Sequence, residues 1–435
     1  MIIKYLKLLI LFVSIPFVTH SKQKEEKILQ GEKMKNKHVL ISGAGIAGLT
    51  LAYWLKQYGF VPTLVERHPT LRTGGYKIDI RGVALDVMQR TGAYPSIVEA
   101  KTEIQGATIV VPSGDSVTQT NMDADLCGTR VKGDLEIMRG DLCKILFEQM
   151  GDVECLFGDF ITQISQDENG AYVEFDQAAP RVFDLVIGAD GLHSTVRKLA
   201  FGEESKFLKE LGLYVSVYSI PNFLNLDRWE YEYFEPRKFV NVYRTNREAD
   251  AKAGFAFSSE SLRFNPYDTL EQKQLLKEAF AQVGWEVPRL LEAMNDSPDF
   301  YFDSVAQVHM PHWCKERVAL VGDAGYASSP VSGQGTSVAI VGAYVLAGEL
   351  AAAQGDYALA FSEYEKKLLP FVKKNQALVK LNVAVMTEKG GWFTWLHDFI
   401  SKILPQRWVH FLKDWSTKRI HKVANDFTLE DYQGG

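Results

Sequence analysis

The sequence predicts an α/β protein in which a parallel-sheet domain is interrupted by a mostly antiparallel sheet and the chain closes in helices. Three observations predict it. Within residues 38–66, "HVLISG", "IAGLTLAYWLKQYG" and "VPTLVE" read as a buried strand, a helix closed at Gly59 and a second strand, which make a βαβ unit. From Leu211 to Ser258 the chain is strand-like and rich in Tyr, Phe and Val, as in "YVSVYSI", "KFVNVYRT" and "AGFAFSS". From Arg317, "RVALVGDAGYASSPVSGQGTSVAIVGAYVLAGELAAA" reads as strand, loop, glycine-rich turn and long helix, a return to the first kind of unit. The first domain is thus expected to be assembled from separated pieces of chain.

At 435 residues the chain is long for one domain and comfortable for two. A net charge of -6, with no basic stripe interleaved with aromatics, argues against a nucleic-acid partner. Cys127, Cys143, Cys155 and Cys314 form no C-x-x-C pair and no zinc-type spacing, so no metal site is expected and the thiols lean toward a reducing compartment. The histidines, His309 and His312 among them, form no ligand cluster. The N-terminus points the other way. Lys4 and Lys7 precede an apolar run from Leu8 to Val18, and Thr19, His20 and Ser21 follow as at a short secretory signal. That run is short for a spanning helix, so stable membrane insertion is not expected. Residues 22–33 form a charged linker, and Met34 stands just ahead of the first strand as a second candidate start. The expectation is a cytoplasmic protein, with export or tethering through residues 1–21 as the alternative.

Between the outer segments, "ATIVVPSGDSVTQ" reads as a hairpin, "RGDLCKILFEQM" as an amphipathic helix, and "AYVEFD" and "DLVIGADG" as strands. "DTLEQKQLLKEAFAQVG" reads as a further helix. After Pro370 a helical tail is expected, carrying the aromatic cluster Trp392, Phe393, Trp395 and Phe399.

Gly43-Ala44-Gly45-Ile46-Ala47-Gly48 is a G-x-G-x-x-G directly after a strand and opening a helix. Gly43 permits the tight turn, Gly45 lets the backbone approach a pyrophosphate, Gly48 lets helix and strand pack closely, and the free N–H groups of the helix start favour the anion. Glu66 ends the second strand, where an acid accepts hydrogen bonds from a ribose diol. The unit is Rossmann-like and its ligand an adenine dinucleotide. Two further segments narrow the ligand to FAD. Asp190-Gly191 ends the strand "DLVIGADG", and Gly322-Asp323 is followed by Gly333-Gln334-Gly335. Asp323 can accept hydrogen bonds from ribityl hydroxyls, and the helix after Gly335 can stabilise negative charge on a reduced flavin near N1 and the C2 oxygen. Taken singly, these are also loop glycines and a helix-capping Asp.

The order G-x-G-x-x-G, D-G, G-D resembles the group A flavoprotein monooxygenases with the para-hydroxybenzoate hydroxylase fold, over residues 36 to about 375. "RTGGYKIDIRGVALDVMQRTG" and "EIMRGDLCKIL" look most like the tetracycline-inactivating flavin monooxygenases, the tetracycline destructases. The resemblance implies that the acid after the G-G pair, Asp79, and the Arg of R-x-D-L, Arg139, contact FAD, and it associates Arg72 with NADPH. Ala47, Arg67, Pro330 and Gln334, inside or beside the motifs, complete the candidate FAD set of Gly43, Gly45, Gly48, Glu66, Asp79, Arg139, Asp190, Gly191, Asp323, Gly333 and Gly335. Read from the residues alone, Arg72 is equally a surface residue, Arg139 could pair with Asp141 at the helix start, and Asp79 could face outward from a strand.

With a single G-x-G-x-x-G the chain offers no second dinucleotide domain, so NADPH is expected as a transient co-substrate. The implied activity is hydroxylation of a polycyclic or phenolic small molecule with O2, through a flavin C4a-hydroperoxide, and tetracycline inactivation is the leading expectation. No catalytic side chain is named, because the flavin carries the chemistry. The apolar-aromatic sheet and the aromatic tail are expected to supply a flat-sided pocket. The alternatives are hydroxylation of another aromatic compound, or an FAD-holding reductase or sensor without oxygenation; the W-x-W-x-I-P segment of a halogenase is missing. A monomer is expected. The expected division is an extension over 1–33, an FAD-binding domain from 34–105, 135–203 and 305–371, a substrate-domain hairpin over 106–134 with the main substrate domain over 204–304, and a helical tail over 372–435.

Overall fold

The computed structural model describes residues 34–72, 74–110, 116–121, 133–260, 262–266, 268–379, 383 and 418–432. The expectations for residues 1–33, for Cys127 and for Trp392, Phe393, Trp395 and Phe399 lie outside the described residues. In chain order the strands begin with β1 (His38–Ser42), β2 (Val61–Glu66), β3 (Lys77–Ile80), β4 (Gly106–Val110), β5 (Ser116–Asn121) and β6 (Leu135–Met138). They continue with β7 (Glu154–Phe157), β8 (Ile161–Gln166), β9 (Ala171–Phe175), β10 (Arg181–Phe183), β11 (Leu185–Gly188) and β12 (Leu208–Ile220). The last are β13 (Trp229–Glu235), β14 (Lys238–Arg244), β15 (Ala251–Ser258), β16 (Tyr301–Val308), β17 (Cys314–Lys315) and β18 (Val318–Leu320).

The first sheet runs β17-β18-β11-β1-β2-β7, parallel throughout except for the β17 edge. Val39, Leu40 and Ile41 of β1 are fully buried, as expected for a parallel strand covered on both faces. The helix Ile46–Gln57 is buried continuously from Ile46 to Leu55, because the helix Gly335–Ala352 packs across it. Trp54 meets Tyr344 edge-on at 4.8 Å in that contact. Gly335–Ala352 is the one described helix long and apolar enough to cross a membrane, and 72% of it is buried in this core. The helix Ile46–Gln57 closes as the sequence suggests, with Gly59 at φ +83° donating to the Lys56 carbonyl at 3.0 Å.

The second sheet has the order β16-β12-β15-β14-β13-β4-β5 and is antiparallel except where β4 pairs parallel to β13. Side chains alternate between its faces. Tyr214, Tyr218, Tyr233, Phe255, Phe257 and Phe302 all fall on one face, where Phe280 and Leu290 of the helices Thr269–Phe280 and Val287–Ala293 close a second core with them. These six aromatics are therefore packing, and the expectation that the sheet aromatics line a flat-sided pocket is corrected for them. The opposite face carries Ser219, Lys252, Tyr243 and Glu230 in one cross-strand row and Tyr301, Val217, Gly254 and Asn241 in the next. This inner face turns toward the first domain, and the Lys77 backbone N–H on β3 donates to the Tyr243 hydroxyl at 3.2 Å.

Two expected boundaries move. β16 pairs with β12 as far as Val308, so the second sheet keeps its chain beyond residue 304. Pro370 does not start the tail but lies inside the helix Tyr357–Ala377. An interior proline costs about 3 kcal/mol, and burial of Phe361, Tyr364, Leu368 and Phe371 along the same helix offsets it.

Residues 418–432 return to the first domain. The Tyr432 ring covers Gly348, where an added Cβ would lie 2.1 Å from Cδ2, and its hydroxyl donates to Glu349 Oε1 at 2.5 Å. Lys367 bridges Glu349 Oε1 at 2.6 Å and Glu430 Oε2 at 2.8 Å. Tyr432→Ala is expected to lower the unfolding free energy by about 1–3 kcal/mol through lost packing and a lost bond to a buried carboxylate. An unchanged urea midpoint would show that this segment is not part of the cooperative fold.

Candidate active site

The parallel order of the first sheet brings the carboxyl ends of β1, β11 and β18 together, and with them motifs far apart in sequence. Gly43 sits at φ +106°, and a Cβ there would lie 2.6 Å from the Ala189 carbonyl oxygen. A Cβ on Gly48 would lie 1.9 Å from the Gly43 carbonyl oxygen, and one on Gly322 would lie 3.0 Å from Ala47 Cβ. These positions exclude side chains. Gly45 has a different neighbour, since its added Cβ would stop 3.6 Å from Arg139 Nη2. The bare glycine loop and the Arg139 guanidinium thus face one site.

Arg139 begins the helix Arg139–Met150, and its backbone N–H donates to the Tyr76 carbonyl at 3.0 Å. Asp141 pairs with Arg247 at 3.4 Å, so the Arg139–Asp141 pairing is excluded. Arg139 has no ion-pair partner among the described residues. Burial opposes its charge, but Cys143, Tyr76, Tyr301 and Asp323 favour it and the balance keeps the guanidinium charged. Asp323 opens a single helical turn after Gly322 and likewise has no hydrogen-bonding partner among the described residues. Solvent reaches its carboxylate, yet protein surrounds it; that burial raises its pKa, and the Arg139 charge opposes the rise.

The other candidates divide. Glu66 accepts from the Ala44 N–H at 2.8 Å and the His68 N–H at 2.9 Å, which braces the glycine loop and leaves further lone pairs on both oxygens. Arg67 lies over the Phe160 ring at 4.2 Å and donates to Thr195 Oγ1 at 3.2 Å. Asp190 is turned toward its own loop, accepting from Ser194 Oγ and from the Val196 N–H at 3.1 Å, while Gly191 at φ +80° has open space beside it. Asp79 pairs with Arg81 at 2.8 Å. Pro330 begins a short 3-10 turn, and Gly333 at φ +61° rests against Arg81 Nη1 at 3.1 Å from an added Cβ. The Gln334 side chain is fully buried, and no side chain caps the helix that Gly335 starts. Arg72 is exposed on the wall of a cavity of about 800 Å³, with Tyr76, Arg139 and Tyr301 beside it and Lys252 and Asp299 opposite.

Three polar residues that sequence reasoning missed tie the site together. Buried Arg81 pairs with Asp79 and, at 3.3 Å, with Asp134 beneath the Gly333 loop. Fully buried Arg197 donates to the carbonyls of Ala324 at 3.0 Å and Leu192 at 2.6 Å and to Glu204 at 2.7 Å, joining the D-G loop to the G-D turn. His193 lies between Glu204 Oε1 at 3.0 Å and Asp303 Oδ1 at 3.1 Å, joining that loop to β16. The available signal was an arginine close behind a motif acid, in "DIRG" and "DGLHSTVR".

These residues fit an adenine dinucleotide carrying a flavin. The loop is bare, the helix start is uncapped, and a guanidinium and a carboxylate face the cleft without ionic partners among the described residues. A family model described as FAD binding domain matches residues 36–377. A flavin-dependent monooxygenase of Legionella longbeachae is 42% identical over 342 residues, covering 79% of this chain and 87% of that one. The chain is a flavin-dependent monooxygenase of the FAD-binding domain family. The monooxygenase is also 45% identical over 348 residues to an uncharacterized protein of Mycobacterium tuberculosis, covering 80% of this chain and 94% of that one. Its fold matches the crystal structure of tetracycline destructase Tet(51) with a TM-score of 0.80 at 38% identity, over 91% of this chain and 99% of that one.

The His193 clasp gives this monooxygenase a definite pH dependence. Burial alone would lower the His193 pKa, but hydrogen bonds and charge from Asp303 and Glu204 outweigh it and push it up to about 10. Because the folded value lies above the unfolded 6.5, the stabilisation is complete below pH 6.5 and is lost as pH rises through about 10. Melting temperature measured from pH 6 to 10 is expected to fall less steeply for His193→Gln than for the wild type. Parallel curves would remove this role.

Proposed function

We propose that the monooxygenase takes its electrons from NADPH and oxygenates a polycyclic or phenolic small molecule, with tetracyclines as the first substrates to test. The cavity carries this reading, because it joins Arg72 and Arg139 on the first domain to the inner face of the second sheet. A nicotinamide donor and a flat acceptor both need access to one face of a flavin. The likeness to tetracycline destructase Tet(51) supports the choice of substrate.

Bound FAD supplies electron transfer from a nicotinamide and activation of dioxygen. The residues proposed to hold it are Gly43, Gly45, Ala47, Gly48, Glu66, Arg67, Asp79, Arg139, Asp190, Gly191, Asp323, Pro330, Gly333, Gln334 and Gly335. Arg139, beside Gly45, would neutralise a pyrophosphate, and Glu66 would accept from a ribose diol while it braces the loop. Asp323 would accept from ribityl hydroxyls. The uncapped start of the helix Gly335–Ala352 would favour negative charge on the flavin pyrimidine. Asp190 and Gln334 act through backbone shape, since their side chains face inward. Arg72 would bind a phosphate of NADPH, and the inner sheet face would orient the substrate and exclude water.

Protein loaded with FAD is expected to oxidise NADPH faster when a tetracycline is added, with a product heavier by one oxygen. Unchanged NADPH oxidation and unchanged drug mass would remove that substrate. Arg139→Ala is expected to weaken FAD binding at least tenfold, about the loss of one charge-assisted contact. Arg72→Ala is expected to raise the KM for NADPH about tenfold while leaving the flavin content intact; loss of flavin from Arg72→Ala would reassign that residue.

A further inference from the structure

The inner face of the second sheet holds one amide in a fixed orientation. Gly254 on β15 stands between Val217 on β12 and Asn241 on β14, in the row that begins with the cavity residue Tyr301. A Cβ on Gly254 would lie 2.1 Å from Asn241 Oδ1, so the Asn241 amide leans into the space that the glycine leaves open. Asn241 Nδ2 donates to Glu230 Oε1 at 2.7 Å. Glu230 is 4% exposed and its other oxygen pairs with Lys77 Nζ, which also lies 3.7 Å from Glu136 and over the Tyr243 ring at 4.9 Å.

A carboxylate paired with a lysine only accepts hydrogen bonds, so Glu230 must face the NH2 end of the amide and the amide cannot turn over. Asn241 Oδ1 is thereby directed away from Glu230 across the Gly254 slot. It has no hydrogen-bond partner among the described residues, and Asn241 is only half-buried. An oriented acceptor on an otherwise committed face discriminates by chemistry. A ligand that donates to it gains a hydrogen bond, and one that covers it without donating leaves a desolvated oxygen unpaired.

We infer that Asn241 is a specificity-determining residue for the substrate, accepting through Oδ1 from a hydroxyl or N–H group, with Glu230 and Lys77 as positioning residues that hold the amide. The substrate class is then a polycycle bearing a free donor on its buried edge, discriminated from its ether. This rests on the proposed function, in which the inner sheet face receives the substrate.

The test titrates FAD-loaded protein, without NADPH, with 2,6-dihydroxyanthraquinone and with 2,6-dimethoxyanthraquinone, reading binding from the perturbed flavin absorbance. The wild type is expected to bind the dihydroxy probe about tenfold more tightly than its ether, the size of one hydrogen bond gained and one acceptor left unpaired. Asn241→Leu is expected to abolish that preference with unchanged flavin content. Gly254→Ala, whose methyl would displace the amide from its slot, is expected to do the same and serves if the leucine variant does not fold. Glu230→Gln, which lets the amide turn over, is expected to reduce the preference. Equal binding of both probes by the wild type, or a preference that survives in both Asn241→Leu and Gly254→Ala, overturns the inference and leaves the polycyclic reading intact. Failure of both probes to bind the wild type overturns that reading, and the inference with it.

Discussion

Glycines at the carboxyl ends of the parallel strands leave no room for a β-carbon, and the rest of the structure is arranged around that constraint. Gly43 abuts the backbone after β11, Gly48 abuts the Gly43 carbonyl, and Gly322 abuts Ala47. Gly188 belongs with them, since its added Cβ would lie 2.7 Å from Leu320 and 2.8 Å from Val196. The close approach brings three loops from distant parts of the chain into one cleft and lays the helix Gly335–Ala352 across the helix Ile46–Gln57. A methyl group at any of these points would push apart the elements that close around the cleft.

The charged residues around that cleft separate by what they touch. Arg81 and Arg197 are buried and meet carboxylates or carbonyls from other elements, so each fastens one loop to another. Arg139 and Asp323 face the same cleft without ionic partners among the described residues. A buried charge is tolerated when it is paired, and one left facing a cleft calls for a ligand. His193 extends the fastening to the second sheet through Asp303, on the strand that also carries Tyr301 to the cavity wall. The same distinction sets Asn241 apart from its neighbours on the inner face: Lys252 and Ser219 are satisfied by each other and by Asp299.

Much of this was legible in the chain. The βαβ unit, Gly59 as its helix stop, the antiparallel block and the return of the parallel sheet are local patterns, because alternation and glycine punctuation act over a few residues. Other expectations failed where a local pattern had two meanings. Alternating aromatics announce a half-buried sheet, but which face the helices Thr269–Phe280 and Val287–Ala293 cover is not written in the alternation. Pro370 reads as a helix stop because the cost of an interior proline is local, whereas the burial that offsets it comes from distant residues. Asp141 was the alternative partner that spacing offered Arg139, and Arg247, more than a hundred residues on, took it instead.

The sequence alone determined the class of the protein and the chemistry of its cofactor, since glycines at a strand end, an acid after the second strand and a D-G and a G-D motif in order constrain the backbone wherever they occur. Only the tertiary structure decided which charges remain available. Arg81 and Arg139 look alike in the chain, and so do Asp190 and Asp323. One of each pair is bonded to protein in the folded state and the other faces the cleft. Pairing in space depends on which distant elements the sheet order brings together, and neighbours in sequence carry no record of it.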